Sequence, residues 1–221
     1  MKLLLNALVK FVCGIILVGL MLFLPAGTFH YPGAWRFIAL LFGPMLLFGT
    51  VLFLKAPALL EKRLNVKEKE RAQKSVVALS ALTFFISFIL AGLDHRFGWT
   101  TVSLPILAIS CILLLASYGM YMEVMRENAY LSRTVEVQSG QHVVDTGLYG
   151  VIRHPMYTAS IVMFLSIPLV LGSWIAFLVM LAYPAFIVQR ILNEEKVLSE
   201  GLEGYITYKE KVRFRLIPFI W

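Results

Sequence analysis

Charge is scarce in this chain: Asp, Glu, Lys and Arg make up 15% of its 221 residues, against 59% hydrophobic. That shortage excludes an ordinary soluble domain, because apolar runs of about twenty residues follow one another along the chain. With a mean hydropathy of +0.80, the composition describes a polytopic membrane protein. Cysteine is almost missing too. Cys13 and Cys111 both sit inside apolar runs, so no disulfide framework is expected and both read as buried small side chains. His30 and His95 lack metal-ligand spacing to each other. They read as interfacial side chains, and no metal site is expected. Zinc-finger spacing and other nucleic-acid modules are absent, as are internal repeats and low-complexity segments. The net charge of +7 therefore has another origin. The basic residues lie between and after the apolar runs, where they set membrane topology.

Four runs, about Leu3 to Pro25, Ala34 to Leu54, Ser75 to Leu93 and Val102 to Met125, are each long enough to span as a helix. The first has the charged start of a signal peptide, but Ala26-Gly27-Thr28 is a poor cleavage site and the run reads as a retained span. A fifth run, Met156 to Leu192, is too long for one ordinary span. Pro168 and Gly172-Ser173-Trp174 interrupt it, which predicts a helical hairpin; the competing reading is one long helix kinked at Pro168. Charge decides between them. Lys55, Lys62, Arg63, Lys67, Lys69, Arg71 and Lys74 follow the second span, Arg126, Arg133 and Arg153 follow the fourth, and Lys196, Lys209, Lys211, Arg213 and Arg215 lie in the tail. The opposite connections hold only Arg36 and Arg96. A hairpin keeps all the basic segments, and both termini, on the cytoplasmic side.

The expected architecture is an all-α membrane bundle of about six segments, forming a single domain over 1–221. Residues 1–125 form a four-span scaffold and 126–221 carry the functional part. The basic segment from Lys55 to Lys74 is interleaved with Glu61, Glu68 and Glu70 and reads as a solvated helix on anionic headgroups. From Arg133 to Gln138 polar and β-branched residues alternate, before Gly140 and Gly147 supply turns.

Ionisable residues bracket the hairpin. Arg153-His154-Pro155-Met156-Tyr157 opens it, and Arg190, Glu194 and Glu195 close it. Groups of this kind are costly near hydrocarbon, so they pair, face a cavity or do chemistry. Pro155 suits the first position of a helix and makes His154 the N-cap, a helix start that attracts anions. Arg190 and Glu194 share a helix face. By spacing alone, a surface ion pair of little energetic value describes that pair as well as a site does.

Gly147-Leu148-Tyr149, Arg153-His154-Pro155-Met156-Tyr157, Glu194-Glu195-Lys196-Val197-Leu198, and then Tyr205 and Tyr208 together resemble the C-terminal signature of the isoprenylcysteine carboxyl methyltransferase family, to which phospholipid N-methyltransferases are related. The resemblance runs from about Thr134 to Pro218. It departs from the usual pattern at Leu148, where many members have Pro, and at Asp145, where many have Thr. It implies a membrane-embedded methyltransferase that uses S-adenosylmethionine in a cytoplasmic pocket. Carried over by position, the cofactor is held by Gln141, His142, Val143, Val144, Tyr149, His154, Pro155, Met156, Tyr157 and Glu194. Arg190 falls where the family contacts substrate, Arg153 is a second candidate for orienting an anion, and Glu195 is available for proton transfer.

Methyl transfer from a sulfonium mainly asks a protein to align the reactants and exclude water. Tyr149 and Tyr157 offer π-faces to a cation. A carboxylate acceptor needs no base, whereas a thiol or amine would draw on His154, Glu194 or Glu195. A lipophilic or lipidated acceptor would enter from the bilayer between helices, with Ser110, Ser117 and Tyr121 either lining that path or bonding between helices. The expected activity is O-methylation of an isoprenylcysteine-like carboxylate. The alternatives are methylation of a small thiol or a phospholipid amine, and an NADPH-dependent lipid reductase of related architecture. The short chain looks more like a prokaryotic relative, which would place it in the cytoplasmic membrane.

Overall fold

Proline sets where several of the helices begin. The computed structural model describes residues 2–64, 71–131 and 137–221. Its helices are α1 (Lys2–Ala26), α2 (Pro32–Lys55), α3 (Pro57–Leu64), α4 (Arg71–Phe97), α5 (Leu104–Glu127), α6 (Pro155–Leu171), α7 (Trp174–Met180), α8 (Tyr183–Gly201) and α9 (Tyr205–Lys211). Proline stands in the first turn of α2, α5, α6 and α8, where its missing N–H leaves no intrahelical bond unmade. Among the described residues no strand occurs. The alternating segment from Arg133 falls largely on 132–136, outside the described residues, as do 65–70 of the basic connection after α3.

Among the described residues, five segments are long and apolar enough to cross a membrane: Leu3–Ala26, Pro32–Lys55, Lys74–Phe97, Leu104–Glu127 and Trp174–Gly201. The sixth segment, α6, is apolar but only 17 residues long. The protein is a multi-pass membrane protein. Along α1 and α2 large apolar side chains such as Leu5, Ile16, Leu47 and Leu54 point outward, as a hydrocarbon solvent permits. Cys13 is exposed on that same outward surface, and Cys111 is half-buried. The expectation of two buried cysteines is corrected for Cys13, because little of α1 is covered by the rest of the protein.

The hairpin forms as charge distribution predicted. Gly172 caps α6 in the left-handed region with φ 94°, a conformation open to glycine. Ser173 then caps α7 by accepting the Ala176 N–H at 3.1 Å. The returning arm is broken at Leu181–Ala182. Pro184 has no N–H for the Met180 carbonyl and cannot continue α7 unbroken.

The core lies where α1, α2, α4, α5 and α6 meet, around Leu22, Phe37, Phe88, Leu114 and Ile167. At the end away from the predicted site, buried polar groups fix the hairpin tip. Asp94 accepts the Thr100 N–H at 2.7 Å and the hydroxyls of Thr100 and Ser173. Tyr31 donates to the carbonyl of Leu171 or Ala91, at 3.0 and 3.2 Å. His95 stacks on Tyr31, with Nε2 3.1 Å from the His30 carbonyl. α6 packs along α5 over most of its length, so the start of α6 is held at a fixed height beside the loop that leaves α5.

Candidate active site

Where α6 begins and α8 ends, a cleft opens between them, roofed by the segment after α5 and by α9. Of the predicted site residues, Gln141, His142, Val143, Val144, Tyr149, Arg153, His154, Met156, Tyr157, Arg190 and Glu194 line it. Counted out to its mouth, with the open solvent there included, it encloses about 860 Å³. Pro155 is buried beneath this surface as the first residue of α6, and Glu195 stands behind the wall.

The two ends of the hairpin meet through a phenol. Tyr157 donates its hydroxyl to Glu194 Oε2 and accepts the Nε–H of Arg190 at 2.9 Å. Sequence spacing placed Arg190 and Glu194 on one face. Only the tertiary structure inserts Tyr157 between them, which makes the pair part of a wall rather than a surface ion pair. The His154 N-cap makes no side-chain bond to its own helix; its Nε2 lies 3.2 Å from Glu195 Oε1.

Glu195 requires correction as a substrate-facing group, and Arg153 lines the cleft while bonded behind it. Arg153 donates Nε to Glu195 Oε1 at 2.7 Å and Nη1 to the carbonyls of Val212 and Arg213 at 2.8 and 3.0 Å. Glu195 also accepts the Arg215 Nε–H at 3.0 Å. The Arg153 and His154 backbone N–H groups donate to the Phe214 and Arg215 carbonyls, each at 2.9 Å. A buried carboxylate is tolerable only when so paired. The network straps the C-terminal segment under the start of α6 and holds the N-cap in place. Glu195 is thus a positioning group, and Arg153 is committed largely to the strap although one edge of it reaches the cleft.

A second, more apolar groove runs between α4 and α8 past α6, lined by residues including Val76, Phe84, Tyr121, Ser160, Tyr183 and Ile187. Met156, Tyr157 and Arg190 border both the groove and the cleft. Tyr121 borders this path, one of the two readings open to it. Ser110 and Ser117 do not: both are buried and bond within α5, to the Ile106 and Leu114 carbonyls at 2.7 and 2.6 Å.

The cleft also takes in residues that sequence reasoning did not assign to it: Asn128, Tyr130, Leu131, Leu198, Leu202, Tyr205 and Tyr208. Asn128 donates to the Tyr149 hydroxyl at 3.0 Å, and Tyr208 donates to the Tyr149 carbonyl at 2.7 Å. Tyr130 meets His142 Nδ1 at 3.0 Å. Leu198 follows Glu194 by four positions, which was a readable signal that it shares that face. Among the described residues, Tyr205 holds the one buried side-chain polar atom without a hydrogen-bond partner, its phenol oxygen. An unpaired buried hydroxyl costs about 1–3 kcal/mol, so a partner from a ligand fits the site. The departures from the family pattern are accommodated. Leu148 packs with Tyr149 and Met156, and Asp145 pairs with Lys211 at 2.6 Å.

Residues 105–203, somewhat under half the chain, match the phospholipid methyltransferase family. A Delta(14)-sterol reductase of Mus musculus is 26% identical over 91 residues, which is 40% of this chain and 22% of the reductase. The chain therefore spans under a quarter of that relative's length. Among solved structures, the fold is similar to the eukaryotic intramembrane Ras methyltransferase, an isoprenylcysteine carboxyl methyltransferase. That likeness has a TM-score of 0.51 and 21% identity, and covers 92% of this chain and 74% of the other. The family match over 105–203 and the shared fold together support what the C-terminal motifs resemble, an isoprenylcysteine carboxyl methyltransferase-like family of integral-membrane methyltransferases.

Proposed function

We propose that the protein is an S-adenosylmethionine-dependent membrane methyltransferase that esterifies a lipophilic carboxylate. The observation that carries this reading is the wall shared by two cavities, one mixed in character and one predominantly apolar. A cleft of mixed polar and apolar lining, suited to a water-soluble cofactor, meets an apolar groove suited to a lipid-like acceptor at Met156, Tyr157 and Arg190.

When bound, S-adenosylmethionine supplies a methyl group on a sulfonium, electrophilic without further activation. The start of α6 at His154 and Pro155 suits its carboxylate, and Glu194 suits its ammonium or a ribose hydroxyl. The rings of Tyr149 and Tyr157 suit a neighbouring cation. On the acceptor side, Arg190 brings a guanidinium to the junction, where it would pair with a carboxylate and orient one oxygen toward the cleft. A carboxylate arrives already ionised, so no side chain has to remove a proton. The phospholipid amine reading is the weaker one, since a cation at the junction repels an ammonium headgroup. With the basic connections on one side, the cleft and both termini face the cytoplasm.

The likeness to the sterol reductase keeps an NADPH-dependent reductase as a second reading. Among the described residues the cations lining the cleft are Arg153 and Arg190. The strap already engages Arg153, and Arg190 stands at the border with the acceptor groove, which leaves poor provision for the extra phosphate of NADPH.

The test is calorimetry on detergent-solubilised protein with S-adenosylhomocysteine and NADPH, followed by methyl transfer to a farnesylated cysteine carboxylate, a small thiol and phosphatidylethanolamine. S-adenosylhomocysteine binding and a base-labile methyl ester are expected. Binding of NADPH alone would remove the methyltransferase reading. Methylation of phosphatidylethanolamine in preference to the carboxylate would remove the acceptor assignment.

A further inference from the structure

The cleft has two chemically different ends, and one of them holds the unpartnered hydroxyl. Arg190, Glu194 and Leu198 succeed one another at four-residue spacing along α8, and all three line the cleft. At about 1.5 Å per residue, Leu198 lies about 12 Å along the helix from Arg190. The Arg190 end borders the acceptor groove, so the reacting methyl group belongs there. The far end is formed by Val143, Leu198, Leu202 and Tyr205, which pack as one apolar cluster. A flat heterocycle that is apolar on its faces and carries acceptor nitrogens at its rim matches such a corner.

We propose that Tyr205 anchors the adenine of the cofactor, its phenol donating a hydrogen bond to a ring nitrogen of the base held between Val143 and the Leu198–Leu202 side. This rests on the methyltransferase reading and adds to it a specificity-determining residue for the nucleobase. The phenol is equipped as a donor: burial and the nearby Glu195 and Glu194 carboxylates push its ionisation far above the ordinary phenol range. Its oxygen has no protein partner to give up on binding. Tyr208, one turn further along α9, differs in this respect, because its hydroxyl is already committed to the Tyr149 carbonyl at 2.7 Å.

Calorimetry on the full-length protein in detergent, with S-adenosylhomocysteine and its 1-, 3- and 7-deaza analogues, tests the assignment. Tyr205→Phe is expected to weaken S-adenosylhomocysteine roughly five- to tenfold. The ligand-free unfolding midpoint should stay level or rise, since the substitution removes an unpaired buried hydroxyl. The penalty should vanish for one deaza analogue, the one lacking the contacted nitrogen. Tyr208→Phe should instead lower the ligand-free midpoint. Unchanged affinity in Tyr205→Phe, an equal penalty against all three analogues, or a lowered ligand-free midpoint with affinity intact would each overturn the base contact. Absence of S-adenosylhomocysteine binding by the wild-type protein is a different failure, that of the methyltransferase reading itself.

Discussion

Arg153 and Glu195 form a salt bridge of 2.7 Å with both side chains only 5% exposed. They lie 42 positions apart in sequence, one just before the hairpin and the other near its end. Their neighbours in the chain are placed differently. His154, Tyr157 and Glu194 face the cleft and Glu195 lies behind it, where its pair with Arg153 ties the hairpin ends and the C-terminal strap together. Adjacent glutamates thus divide a structural duty from a ligand-facing one.

This division is measurable. Glu195→Gln leaves Arg153 and Arg215 without their shared carboxylate, and breaking a buried pair in this way costs about 3–5 kcal/mol. The unfolding midpoint in detergent should fall well below wild type. Glu194→Gln should leave that midpoint nearly unchanged while abolishing S-adenosylhomocysteine binding. Equal destabilisation by the two substitutions would contradict the assignment.

Arg190→Leu removes the cation at the junction of cleft and groove. Its expected signature is a loss of carboxylate methylation of roughly 100-fold or more, on the order of 3 kcal/mol of transition-state stabilisation. S-adenosylhomocysteine affinity should change by less than about threefold. Arg190→Lys should recover only part of the rate, because an ammonium lacks the planar fork that pairs with a carboxylate. Full activity in Arg190→Leu with a carboxylate acceptor would remove Arg190 from acceptor recognition.

Gly33 lies where the start of α2 abuts the hairpin tip, and a Cβ there would come within 2.3 Å of the Leu171 carbonyl. Gly33→Ala must therefore push the two elements apart, at a cost of about 1–3 kcal/mol. Gly49, whose added Cβ meets nothing within 4 Å, is the matched control, and Gly49→Ala should leave the midpoint level. The comparison reads helix packing rather than helix propensity, since both glycines are helical.

Alkaline pH should weaken the α9 region. Burial raises the ionisation of Tyr205 and Tyr208 above the ordinary 10.0, so both phenols keep their protons in the fold. In the unfolded chain they ionise near 10.0. Their contribution is therefore fully present below about pH 10 and is lost as pH rises above it toward the folded-state values. Unfolding midpoints measured from about pH 8 to 11 should fall more steeply for wild type than for the Tyr205→Phe/Tyr208→Phe double variant. Parallel curves would show that the phenols are not shielded.

Much of the site is legible in the sequence. Pro155 announced a helix start and made His154 its cap, and the structure has both. Gly172 and Ser173 announced the turn. Local chemistry fixes these features, so a few residues suffice to read them. The role of Glu195 was not legible, because identical side chains at 194 and 195 point to different sides of one helix, and only the neighbours packed against each side distinguish them. Ser110 and Ser117 follow neither reading, bonding between helices or lining a path, because a hydroxyl in an apolar helix bonds back to its own turn as readily.

By itself, the sequence determined that the protein lives in a membrane, that it crosses several times, and that its ionisable residues gather at the ends of one hairpin. Hydropathy, charge placement and helix punctuation are properties of neighbours along the chain, and physics reads them locally. The tertiary structure decided which of those residues face the cleft. It set the Tyr157 phenol between Arg190 and Glu194 and bound Arg153 to the carbonyls of the tail. It also joined an apolar groove to a more polar cleft at a single wall. Each of these is a choice of partner across tens of residues. Such a choice follows from how the helices pack and which buried donors remain to be satisfied, a property of the whole fold rather than of any segment.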